Sequence, residues 1–324
     1  MQEMMLARAK ALLQSGDVQR VLGWQTGEFV YDVTPAAFET AEELDAKFVY
    51  NDFCGSNLSK YLVKESRKEG RVLVFLKPCD TYSFNQLIKE HRIARENIYV
   101  IGVPCAGKTD GETLKALGLK GILGVKDAGD SFTVETLYGE KTVSKQEALP
   151  ERCRSCKSHK HMVYDELLGE EGEVLDSHRF DMVEKIESMS ADERFAFWQG
   201  ELSRCIRCNA CRNVCPACTC EKCVFDNENS GIAQKAAADS FEESMFHIIR
   251  AFHVAGRCTD CGECSRVCPQ NIPLHLLNRK FIKDINTFYG AYQAGEDTES
   301  RAPLTNYTKG DAEPSIVYHK GGEK

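Results

Sequence analysis

Arg71-Val-Leu-Val-Phe-Leu-Lys-Pro-Cys-Asp80 is five apolar residues in a row followed by a Pro-Cys turn, and Asn97-Ile-Tyr-Val-Ile-Gly-Val-Pro-Cys105 repeats the arrangement. A short unbroken run of Val, Leu, Ile and Phe has the length and β-branched content of a strand buried on both faces. Between the two runs, Thr81 to Lys89 reads as a helix. Strands joined by single helices lie parallel through right-handed crossovers. Cys79 and Cys105 are therefore expected together at the carboxyl edge of a parallel sheet, where open α/β sheets bind ligands. Lys47-Phe-Val-Tyr50 is read as a further strand, followed by Asn51-Asp-Phe-Cys54 and a helix over Gly55 to Val63, which would add Cys54 to the same edge.

Working outward, Gly121 to Val143 changes to Gly-punctuated β segments, Ile122–Val125 and Ser131–Tyr138, read as a hairpin. Cys153-Arg-Ser-Cys156 follows, and a charged stretch from Asp165 to Glu173 approaches a boundary. Ser190 with Glu193 three residues on marks a capped helix start. The reading is an α/β fold: a mostly parallel-sheet domain over 1–195, a mainly α-helical domain over 196–285, and an extended tail over 286–324. In the tail, Tyr307 and Ile316-Val-Tyr318 are apolar anchors expected to dock on a neighbouring subunit.

The chain has 324 residues, enough for about two domains of ordinary size, and a formal net charge of −8 that disfavours nucleic acid as a partner. The longest apolar stretch, Tyr99 to Gly107, is far short of the ~20 residues that span a bilayer. The charged start, Met1 to Lys10, has no apolar core of an export signal, so the cytoplasm is the expected compartment.

Cysteine is the informative residue: there are 16, and 11 of them fall between Cys205 and Cys268. In a reducing compartment such clustering reads as metal ligation. Cys205-Ile-Arg-Cys208-Asn-Ala-Cys211-Arg-Asn-Val-Cys215-Pro216 is C-x2-C-x2-C-x3-C-P, and Cys258-Thr-Asp-Cys261-Gly-Glu-Cys264-Ser-Arg-Val-Cys268-Pro269 repeats it. In two-cluster ferredoxins the fourth cysteine of each run ligates the other cluster. Cys205, Cys208, Cys211 and Cys268 are thus expected to hold one 4Fe-4S cluster, and Cys258, Cys261, Cys264 and Cys215 the second. Two full copies disfavour zinc or spare thiols. Between them, Ser240 to His253 reads as an amphipathic helix, apolar at 241, 245, 246, 248, 249 and 252. The spacer resembles those of the α-helical ferredoxins in succinate dehydrogenase-type and heterodisulfide reductase-type subunits.

The eight remaining cysteines divide into two further candidate sets. Cys79, Cys105, Cys153 and Cys156 form a third 4Fe-4S site; a rival reading binds zinc through Cys153, Cys156, His159 and His161. Cys54 with Cys218, Cys220 and Cys223 forms a fourth, open to zinc, to another cluster or to no metal at all.

Gly102-Val-Pro-Cys-Ala-Gly107-Lys108-Thr109 matches the G-x4-G-K-[ST] pattern of a phosphate-binding loop. Asp110 and Gly111 stand where the anion-binding helix must begin, which sets a carboxylate against a phosphate and argues against ATP.

Lys77-Pro-Cys-Asp80, Gly102-Val-Pro-Cys105, Cys153-x2-Cys156 and the two runs ending in Cys-Pro together resemble the beta subunits of deazaflavin-linked (coenzyme F-420) hydrogenases and formate dehydrogenases, over about residues 10–285. The resemblance implies an α/β domain with a 4Fe-4S cluster beside a flavin, passing electrons between a hydride carrier and a partner's metal. That family's Ser-Gly-Gly turn at the first helix is Cys54-Gly55-Ser56-Asn57 here, so Gly55, Ser56 and Asn57 are the candidate FAD contacts. No catalytic residue is identified. The resulting expectation is an iron-sulfur electron-transfer subunit of a larger anaerobic oxidoreductase, with other subunits of that complex as partners. The alternatives are a flavin-dependent oxidoreductase of NAD(P)H or a deazaflavin, and an ATP-driven reductant activator.

Overall fold

The structure, a computed structural model, describes residues 1–175, 178–227 and 240–303. In chain order β1 (Arg20–Thr26), β2 (Val33–Phe38), β3 (Val72–Leu76), β4 (Ile98–Gly102), β5 (Ile122–Asp127), β6 (Ser131–Thr136), β7 (Gly139–Ser144) and β8 (Glu166–Leu167) form two sheets. The first runs β2-β1-β3-β4-β8, with β1, β3, β4 and β8 parallel and β2 antiparallel at one edge. β3 and β4 pair in register from Val72 opposite Ile98 to Leu76 opposite Gly102, so Lys77-Pro-Cys and Val103-Pro-Cys leave the sheet side by side. Every residue of β3 is buried, as its unbroken apolar run requires.

The crossover from β3 is the helix Pro78–Lys89. Proline suits its first turn, where a missing N–H costs nothing, and the Lys77 N–H donates to the Asp80 carboxylate. Lys47-Phe-Val-Tyr50, in contrast, is not a strand. Thr40 caps the helix Ala41–Lys47 by accepting from the Glu43 N–H, and that helix consumes Lys47; Phe48 keeps only an isolated bridge to Gln25. The place beside β3 belongs to β1. The helix expected over Gly55 to Val63 runs instead over Ser59–Glu65, because Asn57 accepts from the Ser59 N–H and holds residues 55–58 outside it.

The second sheet is a three-stranded antiparallel meander, β5-β6-β7, one strand more than the expected hairpin. Its small core, including Ile122, Phe132, Val134 and Leu149, is separate from that of the parallel sheet. Beyond it the chain is helical: Asp181–Glu187, Ala191–Leu202, Ala210–Val214, Ser240–Val254, Glu263–Arg266 and Leu274–Tyr289. Ser190 and Glu193 form the expected reciprocal cap. The helix Ser240–Val254 turns only half of its expected apolar set inward, Phe246 with Met245 and Ile249 packed against the same core. Phe241, Ile248 and Phe252 are exposed, whereas Glu243, Phe246, His247, Arg250, Ala251 and Val254 are buried.

The two halves meet through charge. Arg279, held within its own half by Asp260, donates from Nη1 to Glu151 of the other at 2.7 Å, and Arg257 donates to Glu90 at 2.7 Å. No helix among the described residues is long and apolar enough to cross a membrane. The expected anchors Tyr307 and Ile316 to Tyr318 lie outside the described residues.

Candidate metal centres

Cys205, Cys208, Cys211 and Cys268 line one cavity, so the last cysteine of the second run stands with the first three of the first. The backbone curls to do this: Arg207 and Asn209 have φ of 52° and 62°, and in the second run Asp260 and Gly262 have 59° and 69°. Left-handed conformations are costly for side-chain-bearing residues, so their recurrence between cysteines marks a backbone held around a site. The polar inner face of the helix Ser240–Val254 now has a reason. His247 Nε2 is 3.2 Å from Cys205 Sγ, and Arg250 donates to the Cys211 carbonyl at 3.0 Å. Burial and the neighbouring charges of Arg250 and Arg207 pull His247 down to about 3, which keeps its ring neutral beside the thiol.

Cys264 is buried and Cys258 and Cys261 are half-buried, and each lies within electrostatic range of Cys215, the last cysteine of the first run. Burial pushes Cys261 and Cys264 up to about 12. A thiol so placed resists ionisation unless a cation compensates the thiolate, and a bound metal does that outright. The donor chemistry of both sets therefore fits iron-sulfur clusters. Asn278 Nδ2 approaches Cys264 Sγ at 3.6 Å, the kind of contact to sulfur that tunes such a site.

Cys79, Cys105, Cys153 and Cys156 line a single cavity together with Arg152, Lys157 and His159. Cys79 and Cys105 come from the ends of β3 and β4, as parallel pairing requires, while Cys153 and Cys156 return on the loop beyond the meander. The cavity is about 40 Å³, against the ~300–1,000 Å³ of small-molecule pockets. Burial raises Cys79, Cys105 and Cys156, so this donor set also fits a metal cluster. Asp260 and Cys261 of the second run border the same cavity. The rival zinc reading loses His161, whose Nδ1 is 2.8 Å from Glu171 and whose Nε2 is 3.2 Å from the Val103 carbonyl. Among the described residues no three His, Cys, Asp or Glu side chains converge closely enough to hold a single metal ion.

The fourth set does not assemble as expected. Cys218, Cys220 and Cys223 line a cavity with Lys60, Arg250 and His253, but Cys54 is not there. Cys54 is buried in the core of the parallel sheet, its Sγ accepting from the Asn51 N–H at 3.2 Å, and burial pushes it up to about 11. Because residues 47–50 make no strand, Cys54 leaves no strand end. It belongs to a tight turn whose thiol is used internally.

The candidate flavin contacts do not fit a flavin. Ser56 Oγ accepts from Trp24 at 2.8 Å, the Ser56 carbonyl accepts from Lys77 at 2.8 Å, and Asn57 donates to Ser83 at 2.9 Å. At Gly55 even a Cβ would come within 2.8 Å of the Arg152 guanidinium. The phosphate-loop match is equally occupied. Lys108 donates to the Asn51 carbonyl at 2.9 Å and lies 4.3 Å over the Tyr50 ring, and Thr109 donates to the Ala148 carbonyl. Asp110 caps the six-residue helix Gly111–Ala116, so a carboxylate holds the position an anion would need.

The family model of the 4Fe-4S dicluster domain matches residues 201–272. An F420-dependent formate dehydrogenase subunit beta of Methanocaldococcus jannaschii is 26% identical to the chain over 92% of each sequence. The corresponding subunit 1 beta of Methanococcus maripaludis is 24% identical over 91% of each. A putative ferredoxin-3 of Sinorhizobium fredii is 33% identical over 24% of this chain and 75% of its own. A chain from the F420-reducing NiFe hydrogenase complex of Methanosarcina barkeri superposes with a TM-score of 0.40 at 11% identity, over 63% of this chain and 86% of that one. Full-length similarity to the two dehydrogenase subunits, with the dicluster match over both cysteine runs, makes the chain a homologue of the F420-dependent formate dehydrogenase beta subunits and an iron-sulfur electron-transfer protein.

Proposed function

We propose that the chain is the electron-transfer subunit of a larger cytoplasmic, anaerobic oxidoreductase of the formate dehydrogenase, hydrogenase or heterodisulfide reductase-like type. In this reading residues 1–195 carry one 4Fe-4S cluster on Cys79, Cys105, Cys153 and Cys156. Residues 196–285 carry two more, on Cys205, Cys208, Cys211 and Cys268 and on Cys258, Cys261, Cys264 and Cys215. The observation that carries it is contiguity. Cys261, a member of the second set, borders the cavity of the third, and Cys215 follows Cys211 by one helical turn. Three thiol sets therefore stand in series, and Cys208 at the end of the series is exposed.

A bound 4Fe-4S cluster supplies one-electron chemistry, with a potential set by charge, hydrogen bonds to sulfur and exposure. The residues of the chain supply the rest. Cys264 is buried and Cys79, Cys105, Cys258 and Cys261 are half-buried, so the middle of the series is better shielded from water than Cys208 at its end. Arg250, buried and bonded to the Cys211 carbonyl, holds a positive charge beside Cys215 and Cys264 as well, so one cation serves two sets. The exchange of Cys215 and Cys268 between runs ties the two sets into one unit.

The relatives named above are subunits of formate dehydrogenases, which supports a multisubunit setting for this chain. Anaerobic affinity purification from the native source is expected to recover the chain with other subunits, and formate or hydrogen is expected to reduce its clusters only within that assembly. A chain recovered alone, or one whose isolated form oxidises NAD(P)H or a deazaflavin at full rate, would contradict the proposal.

A further inference from the structure

Arg152 is a buried cation without an adequate partner. Its side chain is 7% exposed, and Nε and one terminal nitrogen make no hydrogen bond. The other terminal nitrogen has two long contacts, each 3.4 Å, to the Cys261 carbonyl and to Glu263. Glu263 is already held by Arg266 through two bonds of 2.7 and 2.9 Å, so it does not balance a second guanidinium. Leaving donors of a buried charge unsatisfied is expensive, and the fold nevertheless makes room for this one. A Cβ at Gly55 would meet the Arg152 guanidinium at 2.8 Å, and one at Gly262 would meet its stem at 2.7 Å. Gly262 also has φ of 69°, a conformation that favours glycine. Two glycines, one from each half of the molecule, therefore form the channel in which Arg152 lies. The residue precedes Cys153, lines the cavity of Cys79, Cys105, Cys153 and Cys156, and touches the backbone of Cys261.

We propose that Arg152 is a positioning residue for electron transfer: a fixed cation at the junction of the third and second cysteine sets that raises the reduction potential of the cluster on Cys79, Cys105, Cys153 and Cys156. This rests on the reading that those four cysteines hold a 4Fe-4S cluster. Reduction adds negative charge, and a positive group or N–H donor close to the sulfurs stabilises the reduced form. Lys157 lines the same cavity but donates to the Thr259 carbonyl, so its ammonium is engaged across the domain junction.

The test uses the full chain as Arg152→Gln and Arg152→Lys, with iron content and a redox titration followed by paramagnetic resonance. Iron content is expected to match the parent in both. At fixed potential Arg152→Gln should lower the reduced-to-oxidised ratio of the third cluster at least tenfold, a 59 mV shift for a one-electron couple. Arg152→Lys should shift it less, and the cluster on Cys205, Cys208, Cys211 and Cys268 should not move. An unmoved third cluster with full iron would overturn the proposal, as would an equal shift of all clusters. Loss of the third cluster's iron in both variants would give Arg152 a structural role and also overturn it. A parent protein with only about eight irons would remove the third-set reading itself, and Arg152's role with it.

Discussion

In the dicluster region three thiols of each set come from one stretch of seven residues, Cys205 to Cys211 or Cys258 to Cys264. The third set draws on two strand ends and a loop that returns past a separate three-stranded sheet. The first kind of site is local and is shaped by left-handed backbone between cysteines, at Arg207, Asn209, Asp260 and Gly262. The second is tertiary: Cys79 and Cys105 meet only because β3 and β4 pair in register. A local set needs its short run and one cysteine from the other run, whereas the tertiary one requires the sheet. The difference also bears on what holds the halves together, since Arg279, which lines the third cavity from the ferredoxin side and is held there by Asp260, reaches Glu151 on the other side.

The sharpest way to break this comparison is to remove one thiol from the tertiary set. Cys79→Ser or Cys156→Ser in the full chain should abolish one cluster and about four irons, leaving the two dicluster signals in place. Loss of all three signals would mean that the sets are not separable sites.

A second experiment tests how the two local sets share ligands. Cys211→Ser and Cys268→Ser should damage the same cluster, and Cys215→Ser the other, as seen by paramagnetic resonance of the reduced variants. One signal lost in common by Cys211→Ser and Cys215→Ser would contradict the exchange.

How much of this was legible depended on how locally each feature is encoded. The paired strand–Pro-Cys units carried their own period and turn chemistry, so the edge holding Cys79 and Cys105 could be read directly. β1 could not: Gly23 lies in its middle, and glycine reads against a strand. The structure explains that glycine, because a Cβ there would meet Phe48 at 2.7 Å. The same Phe48 made residues 47–50 look like the missing strand, when it only packs across β1. For the helix Ser240–Val254, apolar periodicity found Met245, Phe246 and Ile249 of the inward face and missed its polar members. A helix beside cysteine sites buries Glu243, His247 and Arg250, and that choice is dictated by charge and sulfur contacts rather than by hydropathy. Cys54 was misassigned for a simpler reason: dividing cysteines into fours ignores that a lone buried thiol can be satisfied by its own turn.

Smaller effects sharpen the picture of the junction between the halves. Ser190→Ala removes the acceptor that caps the helix Ala191–Leu202 and should cost about 1 kcal/mol in denaturant unfolding, with no change in cluster content. A change in cluster content from that substitution would mean that the cap governs how the helix packs, through Trp198 and Leu202, against the core that holds Cys211 and Cys264.

One measurement tests the three-cluster arrangement most directly: iron, acid-labile sulfide and zinc in the full chain purified without oxygen. Three sets of four thiols predict about twelve irons and about twelve sulfides per chain, without stoichiometric zinc. About eight irons, or eight irons with one zinc, would contradict the third set and return Cys79, Cys105, Cys153 and Cys156 to a structural role.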